Sequence, residues 1–365
     1  MKLLFTPGPL TTSDTVKQAM LRDLGSRDAE FIEIVRGIRR DLLELCGAEG
    51  AGYETVPMQG SGTFAIEAVI SSSVPADGTL LVLINGAYGR RIARIAERHR
   101  VRVRELSFPE NQPVDVAAVR AEMERERHTH VAVVHCETTT GMVNPVETIG
   151  AAVRDAGCNY IVDAMSSLGG IPLDAPAAGI DFLVSSANKC VEGVPGFAFV
   201  IARRPALEQC RGRARTLSLD LYDQWAGLEK DGQFRFTPPT HALLAFRQAL
   251  DELAAEGGVE GRAERYRRNA RALVADMREL GFETYLADEH LSWIITTFRY
   301  PRNPAFVFEQ FYTYLAERGF VIYPGKLTHE DCFRIGTIGS LATTDVNGLV
   351  ESIKNALDRM NVTQT

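Results

Sequence analysis

The chain is 365 residues long, 45% hydrophobic and 24% charged, with a formal net charge of -7. That length closes one large core and a smaller one, and the acidic balance excludes a general nucleic-acid binder while leaving room for a local basic patch that recruits a small anion. Neither the opening MKLLFTPGPL nor any later stretch has the apolar run of a signal peptide or a membrane span, so a cytoplasmic chain without a membrane or nucleic-acid partner is expected.

Two helical stretches come first, SDTVKQAMLRDL and EFIEIVRGIRRDLLELCG, the second closed by Gly47. From residue 80 to 202, short apolar runs (LLVLIN, VRVREL, HVAVVH, NYIVDA, DFLVSS, GFAFVIA) alternate with amphipathic stretches such as RRIARIAERH, DVAAVRAEMERE and VETIGAAVRDAG. This rhythm predicts an α/β fold, a mostly parallel sheet with helices on both faces. Beyond residue 203, RGRARTLSLDLYDQWAGLEKDGQFRFTPPT holds too many turn residues for a long element and is expected to be a loop lining a site or an interface; the helix HALLAFRQALDELAAEGG follows it. Gly257, Gly258 and Gly261 then interrupt the helical pattern and mark a boundary. A large domain, 15–255, is therefore expected beside a small α+β domain, 1–14 with 256–365. The small unit reads as a long helix, the strand SWIITTF, the helix AFVFEQFYTYLAERG, the strand CFRIGTI and a last helix from about 343. Cys46, Cys136, Cys158, Cys190, Cys210 and Cys332 are scattered with no C-x-x-C pair, so reduced thiols and no metal site are expected.

In an open parallel sheet the ligand site lies at the carboxyl ends of the strands, so the residues that follow each apolar run are the candidates. Lys189, in SSANKCVEGVPG, sits at the tip of a buried run, where lysine is uncommon; a loop or capping lysine is the plain alternative. Asp163 ends the apolar run of YIVDAMSS, 26 residues earlier, and either caps the next turn or faces a cation. MQGSGTFAIEAVI leads Ser61 and Thr63 into a helix start, which suits a phosphate cradle or an ordinary cap equally. An amine, a carboxylate and a phosphate cradle on one rim are what pyridoxal 5'-phosphate needs. Tyr88 of NGAYGRR either covers a cofactor ring or is half-buried packing. Thr138, Thr139 and Thr140 of HCETTTGMVNP offer hydroxyls or form a plain turn, and His135 reads as a core residue. Arg334, inside the apolar CFRIGTI, needs an anion: a ligand carboxylate or phosphonate, or a structural acid. RGRAR at 211–215 reads as a solvated loop.

LLFTPGPLTTSDTVKQAM, QGSGTFAIEAV, INGAYGRR, HCETTTGMVNP, IVDAMSSLGGIPLD, SSANKCVEGVPGFAFVIAR, LSLDLYDQW, RFTPPTHALLAFRQAL, GFVIYPGK and FRIGTIG together resemble the class V aminotransferases, pyridoxal-phosphate enzymes of fold type I, over almost the whole chain. The resemblance implies transfer of the amino group of 2-aminoethylphosphonate to pyruvate. It implies that Lys189 carries the cofactor as a Schiff base, that Asp163 pairs with the pyridine nitrogen, and that Ser61, Gly62 and Thr63 hold the phosphate. Tyr88 would stack on the ring, Thr138 would lie near its phenolic oxygen, and Met165 and Asn188 would line the pocket. Thr240 would reach the phosphate of the partner subunit, placing the site at a homodimer interface. Arg334 would bind the acid end of both substrates, with Gly8 nearby. The chain departs from the pattern at Arg27 in LGSRDAE, where relatives often carry an aromatic; this bears on the choice of amine donor. Three other readings compete: an alanine-glyoxylate or serine-pyruvate type aminotransferase, a cysteine desulfurase-like lyase, and a non-enzymatic nucleotide-binding module. The lyase is disfavoured because no histidine directly precedes Lys189.

Overall fold

The computed structural model describes residues 2–327 and 330–362. Its apolar runs form a seven-stranded sheet in the order Tyr53–Gln59, Phe197–Arg203, Phe182–Ser186, Asn159–Asp163, His130–Val134, Thr79–Ile84, Arg102–Ser107. The last five strands are parallel to one another. Phe197–Arg203 runs antiparallel to both its neighbours. The connection before it is too short for a crossover helix, so the chain can only turn back on itself. Strands such as His130–Val134 are buried at every position, which is why they read as unbroken apolar runs. Helix Ala87–Arg98 turns Ile92, Ala93, Ile95 and Ala96 inward and leaves arginines outside.

Three features differ from the sequence expectation. Strand Tyr53–Gln59 was not foreseen, because Glu54, Pro57 and Gln59 interrupt its pattern; as an edge strand it tolerates the proline. The first helix is only Asp14–Gln18; beyond it the LGSRD segment turns, the Asp28 carboxylate accepting from the Gly25 N–H at 2.6 Å. The expected long loop after residue 203 contains helix Leu221–Asp231. Its "turn" residues are caps: the Asp220 carboxylate accepts from the Asp223 N–H, and Gly232, with φ 78, ends the helix in the left-handed region.

Gly257, with φ 98, makes a corner between helices Thr240–Ala255 and Gly258–Glu279. Buried apolar side chains gather into one cluster running from Val16 to Leu253, another made of Phe5 with residues between Leu273 and Val362, and a small third in which Cys136, Ile171 and Cys190 meet Leu10, Tyr266, Ile294, Ile295 and Ile338. The second backs a three-stranded antiparallel sheet with Cys332–Gly336 between Ile295–Arg299 and Tyr323–Pro324. Strand Leu3–Leu4 pairs in parallel with Phe320–Val321, and the Gly336 N–H donates to the Phe5 carbonyl, which carries Pro7 and Gly8 toward the edge of the large sheet. All six cysteines are free, and among the described residues no helix is long and apolar enough to cross a membrane.

Candidate active site

Four neighbouring strands, Phe182–Ser186, Asn159–Asp163, His130–Val134 and Thr79–Ile84, deliver Lys189, Asp163, Thr138 and Tyr88 to the same edge of the sheet. Lys189 Nζ donates to the Pro7 carbonyl at 2.7 Å. Gly8, with φ +117, lies so close that a Cβ there would stand 2.7 Å from both Cδ and Nζ of Lys189 and 2.9 Å from the Asn188 carbonyl oxygen. Only glycine fits between the N-terminal segment and the amine. Burial pulls the Lys189 amine below its ordinary range, against the opposing influence of Tyr88, Cys190 and Asp163.

Asp163 is buried at the end of its strand, and among the described residues a single hydrogen bond reaches its carboxylate, from the Met165 N–H at 3.0 Å. Burial pushes it up to about 7, with Glu137 adding to the rise and Met165, Lys189 and Arg91 opposing it. Met165 packs over the start of helix Gly62–Ser73, where a Cβ on Gly62 would fall 2.0 Å from its Sδ. Ser61 occupies the N-cap position of that helix without any side-chain capping bond, so the ordinary-cap reading fails here. Thr63 Oγ1 accepts from Arg91 Nη1 at 3.3 Å.

The Tyr88 ring has two cations against it, Arg91 Cζ at 4.8 Å and Lys326 Nζ at 4.5 Å from its centroid. Burial raises its phenol, but the Thr138 hydroxyl and the charges of Lys326, Lys189 and Arg334 outweigh burial and leave it below its ordinary value. Arg334 is 5% exposed, donating from Nε to the Pro324 carbonyl at 3.0 Å and from Nη1 to the Thr138 carbonyl at 2.8 Å. No carboxylate pairs with it among the described residues, so the structural-acid alternative does not hold; its remaining donors suit an external anion.

Two predicted residues lie apart from this group. Thr240 begins helix Thr240–Ala255, and its side chain makes no hydrogen bond to the others. Arg27 is exposed and lines a surface groove with Ser26, Gln233, Arg235, Phe236 and Pro238. His135 is buried as expected; burial lowers it to about 4, so it is uncharged at neutral pH.

Sequence reasoning passed over Glu137, next to the threonines it singled out. Fully buried, its Oε2 accepts from the N–H groups of Tyr88 at 3.0 Å and Gly89 at 3.3 Å, and its Oε1 from Thr139 Oγ1 at 2.6 Å. It thereby caps helix Ala87–Arg98, whose N-cap residue, Gly86, has no side chain to do so. Arg91 was also missed. In the sequence Asn85, directly before Gly86, looks like an ordinary cap; its side chain donates instead to the Gln112 carbonyl and to Asn144 Oδ1, so no local signal pointed to Glu137.

A lowered amine, a carboxylate with one internal bond, an open helix start and an arginine without an acid together suit imine chemistry on a doubly anionic ligand system. Comparison with known proteins agrees. The chain is 55% identical to the 2-aminoethylphosphonate–pyruvate transaminase of Syntrophobacter fumaroxidans, over 98% of this chain and 96% of that one. It is 52% identical to the protein of the same name from Bacillus cytotoxicus, over 97% and 98%. Among solved structures it is similar to a ureidoglycine-glyoxylate aminotransferase from Bacillus subtilis (TM-score 0.91, 25% identity, 100% of this chain and 95% of that one). An alanine-glyoxylate aminotransferase from Nostoc sp. is comparable (TM-score 0.90, 26% identity, 98% and 95%). These neighbours share its α/β architecture, and the family model for aminotransferase class V matches residues 12–334. The chain belongs to the class V aminotransferases.

Proposed function

We propose that this aminotransferase moves the amino group of 2-aminoethylphosphonate to pyruvate, giving phosphonoacetaldehyde and L-alanine. The names of relatives at 51–55% identity support the substrate pair. The observation that carries the reading is Arg334: a buried guanidinium held by two carbonyls, with donors left for phosphonate in one half-reaction and carboxylate in the other.

The residues fit pyridoxal phosphate. Asp163 offers a buried carboxylate with one internal bond, Gly62 brings its N–H into a start that no side chain of Ser61 closes, and Lys189 offers the amine. When bound, this cofactor supplies an electron sink for the charge that develops at the amino-bearing carbon. Ser61, Gly62 and Thr63 would hold its phosphate, Tyr88 would cover its ring, Thr138, Met165 and Asn188 would border it, and Asp163 would provide the counter-charge for its ring nitrogen. Lys189 Nζ, kept toward the uncharged form by burial, takes the proton from the substrate carbon and returns one to the acceptor. Gly8 leaves the room beside Nζ that this transfer needs.

The same reading divides the chain into 15–255 and 1–14 with 256–365, supported by the two largest apolar clusters, with the small third cluster as the seam between the units. It makes the enzyme a homodimer in which Thr240 serves the partner subunit's phosphate; Phe64, Leu217 and Phe236, exposed on one chain, support that. Six free thiols support a cytoplasmic setting.

The test is a coupled assay of L-alanine formed from pyruvate, with 2-aminoethylphosphonate or L-serine as donor, and of L-alanine as donor to glyoxylate. We expect 2-aminoethylphosphonate to be the preferred donor and Lys189→Ala to lower turnover by roughly a thousandfold or more. An inert phosphonate beside active L-serine or L-alanine would shift the reading to an alanine-glyoxylate or serine-pyruvate type enzyme. Varying Arg27 in parallel separates a role in donor choice from a solvent-facing one.

A further inference from the structure

Three residues beyond Lys189, Glu192 adopts φ 67, in the left-handed region that a residue with a long side chain rarely enters. Its N–H donates to the Lys189 carbonyl at 2.7 Å, so this backbone conformation shapes the turn that presents the lysine. The Glu192 side chain is buried rather than solvated, with only 3% of the residue exposed. Its Oε1 accepts from the Tyr266 hydroxyl at 2.6 Å and from Arg265 Nη2 at 2.8 Å. Arg262, one turn earlier on the same helix, donates from Nη1 to the Cys190 carbonyl at 2.7 Å.

Arg262, Arg265 and Tyr266 thus hold the Cys190 carbonyl and the Glu192 carboxylate, one and three residues beyond Lys189, from one face of helix Gly258–Glu279, at the i, i+3 and i+4 spacing that brings side chains together. Glu256 completes the charge balance, accepting from Arg262 Nε at 2.5 Å and Arg265 Nε at 2.6 Å. Two carboxylates meet two guanidiniums, so the buried network is fully paired. Arg265 also donates to the Gly339 carbonyl, three residues past the strand that holds Arg334. The network therefore joins the turn of the amine to the segment of the anion-binding arginine.

We infer that Glu192 is a positioning residue for Lys189: its carboxylate locks the lysine turn onto helix Gly258–Glu279 and so sets where Nζ stands relative to a substrate held by Arg334. This rests on the reading of Lys189 and Arg334 given under Proposed function. A left-handed glutamate is kept because the side chain, not the backbone, supplies the anchor. Glycine would relieve the backbone and lose the anchor.

That distinction gives the experiment. Cofactor-loaded parent, Glu192→Gly, Glu192→Gln and Arg265→Ala proteins are compared by cofactor content, by half-reaction kinetics with 2-aminoethylphosphonate and with L-alanine, and by pH titration of the Lys189-dependent visible band. Glycine accepts the left-handed backbone, so Glu192→Gly isolates the lost carboxylate. The expected result is full loading, KM within about twofold of the parent, and kcat lower by about tenfold with both donors, since a small misplacement of a reacting group costs rate more than binding. The midpoint of the band is expected to move as well, which a purely structural role would not cause. Glu192→Gln, keeping an acceptor for Tyr266, should lose less. A Glu192→Gly protein with the parent's kcat and midpoint overturns the inference; if that variant does not fold, Arg265→Ala decides it by the same two readouts. A parent whose visible band survives Lys189→Ala overturns the functional reading and this inference with it. A sound parent with an unaffected variant overturns this inference alone.

Discussion

Helices Gly62–Ser73 and Ala87–Arg98 both start at the carboxyl edge of the sheet, both at glycine-containing turns, and the protein treats them in opposite ways. At the second, Glu137 comes from the adjacent strand end to accept the Tyr88 and Gly89 N–H groups; a Cβ on Gly86 would stand 2.1 Å from its Cγ, so the missing side chain is what admits the carboxylate. At the first, Ser61 stands at the cap position without making a side-chain bond. Every helix start attracts negative charge. The difference shows which start the protein completes for itself, fixing Tyr88, and which it keeps for a ligand anion. The buried carboxylates divide likewise: Glu137 accepts from several internal donors, whereas Asp163 accepts from one.

The sharpest way to break this comparison is through Asp163. Its folded-state value, about 7, lies above the ordinary 3.8, so its contribution to stability is fully present below about pH 4 and is lost as pH rises toward 7. In cofactor-free protein that loss amounts to up to about 4 kcal/mol, and Asp163→Asn should flatten it. Urea unfolding between pH 4 and 8 measures both slopes, and equal slopes would refute the assignment. Next in size is Glu137→Ala, which strands buried N–H groups and frees Tyr88. A loss of roughly 3 kcal/mol in unfolding free energy is expected, together with a lower kcat. The smallest effect belongs to Ser61→Ala. With no capping bond to lose, stability should change by less than about 0.5 kcal/mol, against ~1 kcal/mol for an ordinary cap, while cofactor affinity falls a few-fold. A full capping penalty at Ser61 would erase the contrast between the two starts.

Much of the fold was legible because strands buried on both faces must be continuously apolar, and Lys189, Asp163 and Arg334 stood out as charges at or inside such runs. Strand Tyr53–Gln59 and helix Leu221–Asp231 were hidden because local signals, a proline and a set of capping residues, mimic loop chemistry when partners are not visible. Glu137 and Glu192 were hidden for a different reason. Apart from Thr139 beside Glu137, the donors that give these carboxylates their roles lie 49 and 73 residues away, at Tyr88 and Arg265, and nothing in a one-dimensional pattern pairs them.

The amino-acid order by itself determined the alternating α/β layout, the rim on which amine, carboxylate and phosphate cradle stand, the charged arginine inside an apolar strand of the smaller unit, and the aminotransferase family. Those follow from hydrophobic period and from charges that an apolar strand tolerates only for a reason. Tertiary structure alone decided which helix start stays open, that Gly8 must lie against the Lys189 amine, and that a strained glutamate ties the lysine turn to a distant helix. Each of these depends on which groups meet in space, and buried polar groups are defined by partners that only the folded chain assembles.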